Sequence, residues 1–378
     1  MSNLSRREWI GLAGLGLAGL AVDGCAARSA PAWAYGRPLS TARFVRPRID
    51  ARHVVREIVG LRPYRPSGFV VRAERMGDKL VVHNYGHGGG GITLSWGSSA
   101  LAVREAAGEG DRRAAVVGAG IMGLTTARLL QDRGWRVTIY AKDLPPHTVS
   151  NIAGGQWSPT SVFEQSLASA TFVSQFKDAA RLAYHAFAGL VGAGYGVSWH
   201  ENYVLGPTQQ PPAYYIRELP DLFRSYVDLA PGEHPFPVPH VSRYLTMLVE
   251  PAIFLPRVMT DLREAGGVIT VRGFRDRADV LSLAEPVIFN CTGLGAGALF
   301  EDTEIIPVRG QLVFMPPDER LDYLTIGGGD GVLYMFPRSD GILLGGTFER
   351  GASHLTPDPA TTDRIVREHA RIAREMRL

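Results

Sequence analysis

Gly118, Gly120 and Gly123 stand in VVGAGIMGLTTARLL, directly after an apolar run and at the head of an amphipathic one. At this spacing the first glycine permits a tight turn, the second lets a pyrophosphate approach the backbone, and the third lets helix and strand pack closely. The triplet predicts a dinucleotide site. A second glycine loop comes earlier, HNYGHGGGG at residues 83–91, and opens onto the helical spacing of ITLSWGSSALAVREAA. There the N–H groups of Gly88, Gly89, Gly90 and Gly91, with Ile92 and Thr93 in the first helical turn, can face a group that becomes negative. Arg62 and Arg65 in GLRPYRP add planar guanidinium groups. Such groups suit bidentate capture of a carboxylate, and an internal ion pair is the other use open to either.

The elements that must position these residues are legible around them. AAVVGAGIMGLTTARLLQDRGWRVTIYAKD reads as a buried strand, a glycine turn, an amphipathic helix and a second strand, which is a βαβ unit. The acidic residue that would hold ribose hydroxyls belongs near the end of the second strand. Lys142 and Asp143 stand there as candidates. FVVRAERMGDKLVVHNY reads as two strands around a Met-Gly-Asp turn, and helical stretches follow from about 162 to 192. The proline-rich stretch 207–239 reads as irregular covering chain, and the last helix falls near 361–376.

Composition narrows the chemistry. With 378 residues, 45% hydrophobic, the chain can bury more than one folding unit. A net charge of +3, from 40 basic and 37 acidic residues without long blocks, gives no nucleic-acid footprint. Two cysteines, Cys25 and Cys291, exclude a disulfide framework and a Cys-rich zinc site, so redox work would fall to a bound cofactor. His83 and His87 flank a glycine loop rather than share a helix face, and no metal site is expected.

The first residues differ from the rest. SRREWIGLAGLGLAGLAVDGC joins paired arginines to a Gly/Ala/Leu run too short for a membrane span, which reads as an export signal. SRREWI resembles the twin-arginine export motif, and VDGC resembles a lipoprotein cleavage box with Cys25 as the attachment point. The expectation is an exported protein of the periplasm or cell envelope, with Cys25 a candidate membrane tether.

GLRPYRP, HNYGHGGGGITLSWGSSAL, VVGAGIMGLTTA, AGGQWSP, NCTGLGAGAL and VRGQL together resemble the D-amino-acid oxidase family of FAD enzymes, which includes the D-aspartate oxidases. In that family the GxGxxG strand opens the chain, whereas here the RPxRP and HNYGHGG segments come first. The order resembles a circular permutant, with GEGDRR joining the usual last helix to the usual first strand. The resemblance implies FAD as cofactor, and it adds Ala153, Gly154 and Gly155 of the AGGQWSP loop to the cofactor contacts. Arg62 matches the arginine that pairs with the substrate carboxylate, and Tyr334 the tyrosine whose hydroxyl also reaches it. Gly89 matches a glycine whose carbonyl accepts from the substrate amine. A second tyrosine of some members is replaced by Asp330, and D-aspartate oxidases place an arginine where Phe348 stands. Phe348, and Asp330 if it lines the pocket, then favour a neutral or apolar side chain; otherwise Asp330 is a turn residue. Hydride transfer from a neutral amine needs orientation more than a base, so no catalytic His, Asp or Glu is nominated.

The fold class expected is α/β, a Rossmann-type FAD-binding domain with a strand-rich, α+β substrate domain, circularly permuted. Residues 1–33 would be signal and tether, and 34–106 the permuted segment. The FAD-binding domain would fill 113–195 and the substrate domain mainly 196–360, with a return to the FAD domain near 285–300; a terminal helix would occupy 361–378. The function expected is oxidation of a D-amino acid to a 2-oxo acid, ammonia and hydrogen peroxide. The partners are then a small D-amino acid and oxygen, with a second copy of the chain a candidate for a homodimer. Three alternatives stay open: a glycine, sarcosine or D-aspartate oxidase of the same fold, an envelope dehydrogenase that passes electrons to a carrier, and a non-catalytic envelope protein.

Overall fold

The computed structural model describes residues 44–378, so the export signal and Cys25 lie outside the described residues. Two sheets carry the architecture. The first contains β1 (Arg56–Tyr64), β6 (Val197–Gly206), β7 (Val227–Leu229), β8 (His240–Val249), β11 (Ile306–Met315), β12 (Tyr323–Gly327), β13 (Tyr334–Arg338), β14 (Gly341–Gly345) and β15 (Glu349–Arg350). The second contains β2 (Val70–Met76), β3 (Lys79–Tyr85), β4 (Arg113–Val117), β5 (Arg136–Ala141), β9 (Val268–Val271) and β10 (Val287–Asn290). Five helices matter to the site: α1 (Gly91–Glu105), α2 (Ile121–Gln131), α3 (Ala170–Leu190), α4 (Pro251–Glu264) and α5 (Pro359–Glu375).

The second sheet runs β2-β3-β10-β4-β5-β9, with every pair parallel except the β2–β3 hairpin. Parallel strands are covered on both faces, so they must be apolar throughout, as the buried VIFN of β10 and AAVV of β4 are. Leu94, Leu124, Phe176, Phe254 and Leu262 pack α1, α2, α3 and α4 into the core on one side of this sheet. The element order β4, α2, β5 is the βαβ unit read from the glycine triplet. Residues 106–112 join α1 directly to β4.

The larger sheet runs β1-β11-β14-β13-β12-β6-β8-β7, with β15 on β11. Its pairs are antiparallel apart from β12 with β6. One row of paired residues crosses the whole sheet: Ile58, Leu312, Gly345, Tyr334, Ile326, Val204, Ser242 and Asp228. Side chains of one row project to one face, and residues two apart on a strand share it, so Gly60, Arg62 and Gly310 belong to this face too. Gly60 and Gly310 are register partners. Two glycines opposite each other leave a depression in the face, which Ile152 and Arg62 fill.

Two details depart from the sequence reading. The stretch 207–239 contains a short helix (Tyr214–Glu218) and β7, which extends the large sheet by three residues against β8. The helical region read from 162 is helix only from Ala170, because Ser169 caps it by accepting from the Phe172 N–H at 3.1 Å.

Candidate functional site

A cavity of about 1620 Å³ lies between the two sheets and runs from the glycine triplet to the face of the large sheet. At one end the β4–α2 turn shapes it. Gly118 takes φ +113°, and a Cβ there would lie 2.5 Å from the Cys291 carbonyl oxygen. Gly123 faces away from the cavity: its Cβ would sit 1.9 Å from Gly118 O, so its emptiness sets how closely α2 approaches β4. Gly120, Ala119 and Ile121 line the cavity, and the Ile121 N–H donates to Ser150 Oγ at 2.9 Å. Lys142 and Asp143 follow β5 on the wall, exposed and 3.8 Å apart. They stand at the C-terminal edge of the parallel strands, where ligands of open α/β sheets bind.

The second glycine loop forms the next stretch of wall. Gly88, Gly89, Gly91 and Ile92 line the cavity at the N-terminus of α1. Gly90 and Thr93 lie behind them. A Cβ on Gly90 would meet Val162 at 2.6 Å, and Thr93 Oγ1 donates to the Ser158 carbonyl at 3.1 Å. Gly89 N–H donates to Ser161 O and Gly90 N–H to His87 O, each at 2.9 Å, so two of the loop's N–H groups are already engaged and the cradle is narrower than the sequence suggested. Ala153, Gly154 and Gly155 line the cavity too. His87 also borders the cavity, stacked on Phe69 with ring centroids 4.6 Å apart. Burial pushes its pKa down to about 3, so it is neutral at any ordinary pH.

On the large sheet's side of the cavity stand Arg62, Tyr334 and Phe348. Arg62 donates to the Thr347 carbonyl at 3.3 Å and lies 5.7 Å from the Phe348 ring. It has no carboxylate partner among the described residues. Arg65 is the opposite case, held by Asp302 at 2.7 Å and also by Glu304. The Tyr85 hydroxyl completes that network, donating to Asp302 at 2.8 Å. Of these two arginines, three residues apart, Arg65 is held by carboxylates and Arg62 is not, among the described residues. Burial raises the Tyr334 pKa, and the neighbouring Arg62 guanidinium, hydrogen-bonded to it, opposes that shift. The hydroxyl stays protonated and can donate.

Asp330 is not among the lining residues. It sits exposed in the turn between β12 and β13, and its carbonyl accepts from Arg364 at 2.9 Å, so the turn role is the one the geometry supports. The next cation beyond Phe348 is Arg350, which is paired with Glu164 at 2.5 Å. Sequence reasoning missed Ser150, Thr347 and Gly310, and also Arg272 and Arg275, which line the nucleotide end after β9. VRGQL marked Gly310 as notable without a role; nothing local marked the others.

A βαβ nucleotide fold opening onto a cavity with a guanidinium that no described carboxylate holds defines the class as a nucleotide-cofactor enzyme. Residues 113–376 match the family model described as FAD dependent oxidoreductase. The D-amino-acid oxidase of Streptomyces coelicolor is 32% identical over 273 residues, covering 71% of this chain and 80% of the relative. The human D-aspartate oxidase is 29% identical over 260 residues, covering 67% and 74%. The glycine oxidase of Geobacillus kaustophilus has a similar fold, with a TM-score of 0.53, 18% identity, and coverage of 69% of this chain and 78% of that one. The chain belongs to the DAO family of FAD dependent oxidoreductases. It is an FAD enzyme of amino-acid oxidase type. The residues present fit that cofactor: Gly118 makes the tight turn against the Cys291 carbonyl, Gly120 leaves backbone on the cavity wall open to a pyrophosphate, and the N-terminus of α1 borders the cavity.

Proposed function

We propose that this chain oxidises neutral and apolar D-amino acids to 2-oxo acids, with release of ammonia and hydrogen peroxide. The observation that carries this reading is Arg62, a guanidinium on the cavity wall with no carboxylate partner among the described residues, beside Tyr334 and Phe348. Bound FAD supplies the hydride acceptor and the route of electrons to oxygen.

The chain's own residues bind and orient. Arg62 takes the substrate carboxylate as a fork of two N–H donors, and the Tyr334 hydroxyl donates a further hydrogen bond. The Gly89 carbonyl, on the cavity wall, accepts from the amine. Three fixed contacts around one carbon leave a single direction for its hydrogen, which selects one enantiomer. The side chain then meets Phe348 and the apolar residues Ile326 and Leu333. Arg350, the next cation beyond Phe348, is already occupied by Glu164 and is not open to a second carboxylate. We extend the proposal to the whole chain: residues 1–33 direct export to the cell envelope with Cys25 as tether, and residues 44–112 stand ahead of the family's usual start.

The test is anaerobic addition of D-alanine to the purified holoprotein. Bleaching of the flavin band by D-alanine and not L-alanine is expected, with about one peroxide per turnover in air. A bound flavin that no D-amino acid reduces would overturn the substrate class. Reduction with far less peroxide would replace oxygen with another acceptor.

A further inference from the structure

The cavity does not stop at Tyr334. The sheet row that passes through Tyr334 continues through Ile326, Val204 and Ser242 to Asp228, and all five residues line the same cavity. Four inter-strand steps of ~4.8 Å place Asp228 about 19 Å from Tyr334 along the sheet. The middle of the row is apolar. Its outer end is polar: the Asp228 carboxylate accepts from Ser242 Oγ at 2.7 Å, from Gln209 Nε2 at 3.3 Å and from the Tyr226 hydroxyl at 3.4 Å.

All three donors are neutral, so they orient the carboxylate without cancelling its charge. Arg243, next to Ser242 on β8, is held by Glu201 at 3.0 Å, and no described Lys or Arg pairs with Asp228. An uncompensated carboxylate at a cavity mouth concentrates cations there and repels anions.

We infer that this outer lobe is a subsite for the cationic group of an incoming amino acid. Asp228 speeds the entry of amino acids with an added positive charge and turns acidic ones away before the carboxylate reaches Arg62, while the neutral and apolar ones of the proposed function pass without its help. The span to Tyr334 equals about five or six extended residues, so one amino acid cannot touch both and the two contacts are successive. The inference deepens the proposed function, on which its kinetic arm rests.

Two measurements on the holoenzyme test it. In Asp228→Asn, kcat/KM for D-lysine should fall roughly 3–10-fold at low salt and that for D-glutamate should rise comparably, with D-alanine and kcat little changed. The differences should collapse near ~0.5 M salt, where screening is short-ranged. An equal change for all three substrates would overturn the inference. Agmatine, a dication with no carboxylate, reads the subsite without turnover. By calorimetry it should bind the variant at least roughly fivefold more weakly than wild type, and equal binding would overturn the subsite. If no D-amino acid is oxidised yet agmatine binding still needs Asp228, the oxidase reading fails and the subsite stands.

Discussion

The Cβ that Gly310 lacks would lie 2.3 Å from Arg62 Nη1, so the guanidinium occupies the space that any side chain at 310 would take. Gly60, its register partner, leaves the neighbouring space to Ile152. The arginine proposed to bind substrate therefore depends on the missing side chain at Gly310 on the next strand. Gly310→Ala should push the guanidinium out of line with Tyr334, raising KM for D-alanine roughly 10–100-fold, about 1–3 kcal/mol, with the visible flavin spectrum retained. Steady-state kinetics beside a spectrum decide it; an unchanged KM would show that Arg62 is held in place by other contacts.

Arg62 and Arg65 should fail in different ways. Arg62→Ala removes the group proposed to meet the carboxylate, and it should cost about 2–5 kcal/mol in apparent substrate binding with little loss of stability. Arg65→Ala strands the mostly buried Asp302, and it should cost roughly 3 kcal/mol of stability instead. Melting curves and KM values for both variants give the comparison. If the two effects are exchanged, the carboxylate partner has been misassigned.

That rivalry shows what the sequence could carry. GLRPYRP presents two arginines in one short motif, and only Asp302 and Glu304, far along the chain, decide which one is spoken for. The GxGxxG turn was legible because its geometry is local: strand, turn and helix are consecutive, and the close approach of Gly123 to Gly118 lies within one motif. The row from Tyr334 to Asp228 was not legible, since it exists only once five strands from distant segments have found their register. β7 was hidden for a related reason, because three residues amid prolines carry no periodic signal of their own. Asp330 read equally well as pocket or turn, because only the folded chain shows it exposed in the β12–β13 connection and off the cavity wall.

His87 gives the acid side of the stability profile a definite sign. Neither ring nitrogen has a protein hydrogen-bond partner, and burial lowers the folded-state pKa to about 3. The unfolded chain, with a His pKa near ~6.5, takes up the proton first as pH falls. The stability held by the neutral ring is therefore complete above about pH 6.5 and is lost progressively as pH falls toward 3, at up to ~1.4 kcal/mol per pH unit. His87→Phe keeps an aromatic on Phe69 and removes the titration. Between about pH 6.5 and 4.5 the wild type should lose roughly 2–3 kcal/mol more than this variant in denaturant titrations of the holoprotein. Parallel profiles would mean that His87 is not held neutral.

The order of the chain can be tested by rearranging it. Arg46 Nη2 donates to the Met376 carbonyl at 2.8 Å, and the Tyr323 hydroxyl reaches both Val45 O at 2.8 Å and Met376 Sδ at 3.8 Å. The two ends of the described chain thus lie side by side. Six added residues span up to ~20 Å, more than enough to join them. The present link between α1 and β4 carries Gly108 and Gly110, whose Cβ positions would meet nothing within 4 Å, so opening the chain there removes no packing at either glycine. A chain beginning at Arg113, running through Leu378 and a six-residue linker into 44–112, should then fold. It should bind FAD and melt within about 5 °C of the protein's own order, since joining and cutting short surface loops changes loop entropy by only ~1 kcal/mol. A colourless or aggregated product would mean that the order seen here is required to fold, and that the first segment is more than a displaced end of the family's chain.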